Sequence, residues 1–242
     1  MFTNQKLKQL IVPLVIEQIL AVLVGMADIM MVSSVSEAAV SGVSLVDSIS
    51  ILIINIFAAL ATGGAVVAAQ YLGRREEEQA CFSAKQLILC TTAISAVIMV
   101  MFLIFGHQLI SLIFGKVDPE VLASAQTYLF ITSMSYPFIA LYNSCAALYR
   151  AMGNSRISMV TSLIMNSLNI VGNAILIYGL GMGVEGAAIP TLISRIVCAM
   201  LIVVMLRHRH DQIRLDSYFH LGFDGAMIKR ILQIGVPNGL EN

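Results

Sequence analysis

Residues 9–33 read QLIVPLVIEQILAVLVGMADIMMVS, and this stretch decides the solvent in which the chain folds. A hydrocarbon core of about 30 Å takes about 20 helical residues to cross. The run is longer than that and carries only two ionisable side chains, Glu17 and Asp28. Lipid offers the backbone no hydrogen-bond partner, and the run is too long and too uniformly apolar for an alternating barrel strand, so it is read as a helix. It exceeds a signal h-region and ends in Val32-Ser33-Ser34 without a small-residue cleavage site, so it is expected to stay in the protein.

Five further runs of the same kind follow, over 44–71, 87–105, 125–148, 159–180 and 187–206. The expected fold class is an all-α integral membrane protein, a six-helix transmembrane bundle. Composition agrees. Hydrophobic residues make up 58% and charged residues 12% of the 242, with a mean hydropathy of +0.88, against about 25% charged residues in a soluble domain. Cys81, Cys90, Cys145 and Cys198 lie singly in or beside apolar runs, with neither a metal-ligand spacing nor a disulfide framework, and read as reduced apolar packers.

The net charge is zero, but the positive charges are unevenly placed. Lys6 and Lys8 precede the first run; Arg74, Arg75 and Lys85 follow the second; Arg150 and Arg156 follow the fourth; Arg207, Arg209, Arg214, Lys229 and Arg230 follow the sixth. The alternate loops hold only Lys116, and Arg195 lies within the sixth run. Positive loops stay cytoplasmic, so the N-terminus and the segment over 207–230 are expected inside.

The end of the chain repeats its beginning. Residues 230–242, RILQIGVPNGLEN, lie over residues 6–18, KLKQLIVPLVIEQ, with Gln, Val, Pro and Glu coincident and most other places conservative. Six spans separate the copies, so both start on the same side, as in a parallel-repeat transporter of two lobes. The expected organisation is an N-terminal lobe over 1–206, a cytoplasmic linker over 207–230 and a truncated start of a second repeat over 231–242. The second lobe of a twelve-helix whole is expected to be the missing partner.

Polar groups inside hydrocarbon are functional candidates by default. Glu17 and Asp28 are eleven residues apart, which at about 100° per residue sets them within about 20° on one helix face. Asp28, Asn173 and Thr191 fall at one depth, roughly 6 to 10 Å below the outer surface at about 1.5 Å per residue. Asn169 and Asn166 extend the Asn173 ridge by successive turns. A carboxylate with amide and hydroxyl oxygens suits a hard monovalent cation, and the same carboxylate in a dry site takes a proton instead. Glu17, near Pro13, Asn166 and Arg195 are candidate cavity-lining groups, as is Glu241; Asp47 reads as a helix-start residue. No nucleotide-binding loop, nucleophile with base, or zinc spacing occurs, which leaves an ATP-driven or enzymatic mechanism without support.

Several motifs carry a family resemblance. Gly25-Met26-Ala27-Asp28 within the first run, Ala69-Gln70-Tyr71-Leu72-Gly73-Arg74-Arg75, and Arg150-Ala151-Met152-Gly153-Asn154-Ser155-Arg156 resemble the multidrug and toxin extrusion (MATE) family. So do Asn169-Ile170-Val171-Gly172-Asn173 and Gly183-Val184-Glu185-Gly186-Ala187-Ala188-Ile189-Pro190-Thr191. The resemblance implies a two-lobed plasma-membrane antiporter, not an enzyme and without cofactor or nucleic-acid partner. It implies export of organic, often cationic, compounds in exchange for Na⁺ or H⁺. It also implies that Asp28, Asn169, Asn173 and Thr191 match the cation site, with Asp28, Asn173 and Thr191 as Na⁺ ligands if Na⁺ is the ion. Some relatives have a second carboxylate where this chain has Asn173. Two alternatives stand beside it: a lipid or lipid-linked oligosaccharide flippase, favoured by basic cavity residues, and a scaffold or channel subunit assembled from half-length chains.

Overall fold

The computed structural model describes residues 4–207, 213 and 224–240. Among them every regular element is helical: α1 (Asn4–Ser33), α2 (Glu37–Gly73), α3 (Glu77–Phe114), α4 (Pro119–Ser133), α5 (Tyr136–Ala151), α6 (Ser155–Asn173), α7 (Glu185–Leu206) and α8 (Gly225–Leu240). Five of them, counting α6 with the turn that follows it, are long and apolar enough to cross a membrane by themselves. The fourth expected span, 125–148, is the departure: it is divided between α4 and α5. Pro137 explains the division, because it has no N–H to donate and its ring collides with the carbonyl of Ser133 one turn back. The Ser135 carbonyl accepts from Phe138 and Ile139 at 3.1 and 3.0 Å, restarting the ladder beyond the break.

Helix ends follow local chemistry. Ser36 accepts from the Ala39 amide at 3.0 Å and starts α2 at Glu37, two turns before the expected position. Asp118 accepts from Glu120 at 3.2 Å ahead of Pro119 in the first turn of α4. α6 does not stop at Asn173 but loosens into a π-helical turn over Ala174–Gly179. The expected linker over 207–230 lies mostly outside the described residues, and its last six residues are already helical in α8. Like α1 with Pro13, α8 carries a proline, Pro237, inside the helix.

The bundle is built around α2, which packs on α3, α4, α5 and α8. Tyr136, fully buried at the start of α5, meets Phe57 of α2 and Phe102 of α3 edge to face at 6.3 and 5.7 Å, and its hydroxyl shares a 3.3 Å hydrogen bond with Ser50. On the periphery α1 leans mainly on α6. Its Val12, Ile19, Val22 and Met30 are 51–71% exposed, an outward apolar face.

Helix approach in lipid depends on small residues at the crossings. A Cβ on Gly63 would fall 2.5 Å from the Gly235 backbone, so α8 lies directly on α2. A Cβ on Gly172 would fall 2.7 Å from Pro190 Cβ, and this contact holds α6 against α7 beside Asn173 and Thr191. Gly172→Val is therefore expected to wedge the two helices apart at a cost of about 1–3 kcal/mol. Gly25→Ala, which meets no atom within 4 Å, is expected to leave stability unchanged or to raise it slightly. Thermal unfolding in detergent checks the pair; equal melting temperatures would contradict the close-packing assignment.

Candidate cation site

Three helices bring four polar side chains together. Asp28 projects from α1, Asn169 and Asn173 lie one turn apart on α6, and Thr191 stands on the first turns of α7. The Asn173 amide donates to Asp28 Oδ1 at 2.6 Å and reaches Asn169 Oδ1 at 3.4 Å. The Thr191 hydroxyl donates to the Ala187 carbonyl at 2.9 Å and sits 2.9 Å from the Asn169 amide. Asn169, Asn173 and Thr191 are buried, and the Asn173 Oδ1 oxygen has no partner. A buried unpaired oxygen costs about 1–3 kcal/mol, which marks the place where a ligand would be welcome.

The Asn169 amide can present either end to Asp28, and one of the two orientations satisfies both of its ends. With its nitrogen toward Asp28 it donates to the two carboxylate oxygens at 3.0 and 3.3 Å while its oxygen accepts from Thr191 at 2.9 Å. Turned over, its nitrogen donates to Thr191 and its oxygen faces the carboxylate. The first suits a bare carboxylate, which accepts only. The second sets the Asn169 oxygen against the carboxylate, with the Asn173 amide as the donor to both, and a cation or a proton between them would relieve it. The π turn that begins at Ala174, directly after Asn173, releases the regular i to i−4 ladder where this set is assembled.

A cavity of about 370 Å³ opens beside Asp28. Asn166, Asn169, Thr191 and Arg195 line it, together with Asp47 and Tyr128. Asp47 departs from its expected role: because α2 starts at Glu37, Asp47 stands almost three turns inside the helix and faces the cavity rather than capping an end. The Tyr128 hydroxyl lies beside Asp47 in the cavity lining. Arg195 donates from Nη1 to Ser135 Oγ at 2.7 Å, at the break between α4 and α5, and lies within electrostatic reach of both Asp47 and Asp28. The lining thus holds two carboxylates and one guanidinium, a formal charge of −1 among the described residues. Sequence reasoning missed Asp47 and Tyr128; the Ser36-x-x-Ala39 start of α2 was the available signal for Asp47.

Glu17 is not in the cavity lining, which stops at Ala21 one turn away; it is held instead by Ser158 of α6, whose hydroxyl lies 3.4 Å from Glu17 Oε2. Glu241 lies outside the described residues. Removing the guanidinium by Arg195→Met leaves Asp47 without its counter-charge and is expected to cost up to about 3 kcal/mol. Adding Asp47→Asn to that variant is expected to restore part of the loss, with a coupling of about 1 kcal/mol in a double-mutant cycle of melting temperatures. Simple additivity would show that the two charges do not interact.

This geometry has recognisable relatives. The MatE family profile matches residues 13–175. The uncharacterized transporter YisQ of Bacillus subtilis (strain 168) is 29% identical over 238 residues, covering 95% of this chain and 50% of YisQ. The multidrug export protein MepA of Staphylococcus aureus (strain bovine RF122 / ET3-1) is 25% identical over 226 residues, covering 93% and 49%. Among solved structures, the outward-facing conformation of a multidrug resistance MATE family transporter of the MOP superfamily superposes with a TM-score of 0.89 at 25% identity over 97% of this chain and 52% of that one. The inward-facing conformation of such a transporter gives 0.83 at 26% identity over 96% and 53%. The chain spans about half the length of the curated relatives it matches. An all-helical bundle with this order of motifs, matched by the family profile over residues 13–175 and by fold over nearly all of its length, belongs to the MatE family of multi-pass membrane transporters.

Proposed function

We propose that this chain supplies the N-terminal lobe of an antiporter that exports organic, often cationic, compounds across the plasma membrane, driven by Na⁺ or H⁺ exchanged at Asp28. The observation that carries the proposal is the convergence on Asp28 of the Asn173 and Asn169 amides, with Thr191 behind them, next to a cavity of formal charge −1. One monovalent cation, or one proton on Asp28, neutralises that cavity. With the ion gone, the Asn169 amide turns its nitrogen to the carboxylate and draws α1 toward α6; with the ion bound, amide and hydroxyl oxygens face it. Occupancy thereby biases how α1 packs, which is the differential interaction an alternating-access cycle requires.

Supporting relatives include a protein named for multidrug export and another named only as a transporter. A flippase for anionic lipid headgroups is the weaker reading, because the one guanidinium in the lining is outnumbered by Asp28 and Asp47. The loop arginines and lysines support an N-terminus on the cytoplasmic side.

In proteoliposomes holding both lobes, Asp28→Asn is expected to reduce gradient-driven efflux of a fluorescent organic cation by about tenfold or more, equivalent to ~1.4 kcal/mol. Separate Na⁺ and pH jumps identify the ion, and unaltered coupled efflux in the variant would sink the role given to Asp28. For orientation, a single cysteine placed at 34–36 is expected to react with an impermeant maleimide in intact cells, and one placed at 152–154 only after permeabilisation; the reverse pattern would invert the topology.

A further inference from the structure

The second carboxylate of α1 is not absorbed by the cation site. Glu17 lies eleven residues before Asp28, about 16 Å along the helix, on the same α1–α6 seam. It is half-buried, and the seam that it shares is polar from one end to the other. Ser155, Ser158, Ser162, Asn166, Asn169 and Asn173 recur on α6 at spacings of three and four, a single helical stripe. All but Asn166 are buried. A helix in hydrocarbon that buries a polar stripe forgoes the apolar packing expected there. Both α1 carboxylates bond to this stripe, Asp28 through Asn173 and Glu17 through Ser158. Between them, Ala21, Val24 and Gly25 of α1 and Asn166 of α6 line the cavity, which ends one turn from Glu17.

Ser158 makes Glu17 a two-state group. Its single hydroxyl proton has two acceptors within reach, Glu17 Oε2 at 3.4 Å and the Ser155 carbonyl at 3.1 Å. When Glu17 is charged, the hydroxyl donates to it. When Glu17 carries a proton, the carboxyl donates to Ser158 Oγ, and the hydroxyl turns to the Ser155 carbonyl; both arrangements are satisfied and the proton count balances. Other groups around Glu17 are donors or cations. Arg150 of α5 is the charged group that acts on it, the titratable Tyr142 of α5 lies within its electrostatic reach, and α6 presents hydroxyls. Asp47 on α2, which also touches α1, lies across the cavity with Asp28, and Tyr178 follows from the π turn beyond Asn173. Such a setting gives the carboxyl a hydrogen-bond partner in both protonation states.

We propose that Glu17, gated by Ser158, is a second protonation site at the inner end of the α1–α6 seam, through which the lobe responds to pH on the cytoplasmic side. It rests on the inside orientation of the N-terminus and on the exporter reading, but not on which ion Asp28 takes. The test is efflux from proteoliposomes holding both lobes, with internal and external pH varied separately across about pH 6 to 8. Wild type is expected to change rate by roughly three- to tenfold with internal pH, within the tenfold per unit that one titrating group allows. Glu17→Gln is expected to flatten that internal dependence while keeping the external dependence and the ion coupling. Glu17→Asp is expected to retain it, and Ser158→Ala, which removes the hydroxyl favouring the charged form, to move the inflection to higher internal pH. An unchanged internal profile in Glu17→Gln would overturn the proposal. So would loss of both profiles together with a lowered melting temperature in Glu17→Gln and no recovery in Glu17→Asp, which is the pattern of a structural role. Loss of coupling in Asp28→Asn is a separate readout: its absence would sink the exporter reading, whereas internal pH dependence reports on Glu17.

Discussion

A carboxylate standing in hydrocarbon has to be met by donors, a counter-charge or an ion, and most of the lobe's polar architecture follows from meeting Asp28. Its desolvation is offset by two amides on one face of α6, and those amides are positioned only because Gly172 lets α6 approach Pro190 of α7. Thr191, on the same stretch of α7, then supplies the hydroxyl behind them. The π turn after Asn173 and the break at Pro137 are two places, among the described residues, where the backbone departs from regular α-helix. Each adjoins the polar cavity, the first through Asn173 and the second through Ser135, which Arg195 holds. Irregular backbone in a membrane protein is tolerated where protein rather than lipid surrounds it, and the lobe obeys that limit.

The second charge set, Asp47 with Tyr128 and Arg195, answers a different need. Two carboxylates on one small cavity repel each other and would demand two cations at once. A resident guanidinium cancels one of them and leaves a single site of variable occupancy. Arg195 also ties that electrostatic balance to the hinge between α4 and α5 through Ser135, so the charge state of the cavity and the shape of the fourth span are in direct contact. Membership of the MatE family agrees with this arrangement, since the fold matches solved transporters described as outward- and inward-facing.

Much of this was legible from residue order. Hydropathy located the long apolar helices, because the length of a crossing is imposed by bilayer thickness and not by packing. Depth along three helices was enough to group Asp28, Asn173 and Thr191, since a rise of about 1.5 Å per residue converts position into height. Asn169 and Asn166 followed from helical spacing. Two readings did not survive contact with the structure. Asp47 was placed at a helix start because the apolar run began there, whereas the Ser36 cap sets the start two turns earlier and turns the carboxylate into the cavity. The fourth run appeared continuous because hydropathy is blind to a proline that interrupts the ladder without interrupting the apolar pattern.

By itself, then, the sequence determined the solvent, the helical class, the family resemblance and the heights of the polar groups, because each of these depends on composition or on distance along one helix. The tertiary structure alone decided which groups meet at a given height. The pairing of Asn173 with Asp28, the two orientations of Asn169, the unpartnered Asn173 oxygen and the bond between Ser158 and Glu17 all depend on the rotation of one helix about its axis relative to the next. That rotation is set by side-chain fit at crossings such as Gly172 with Pro190, residues 18 places apart in the chain and in van der Waals contact in space.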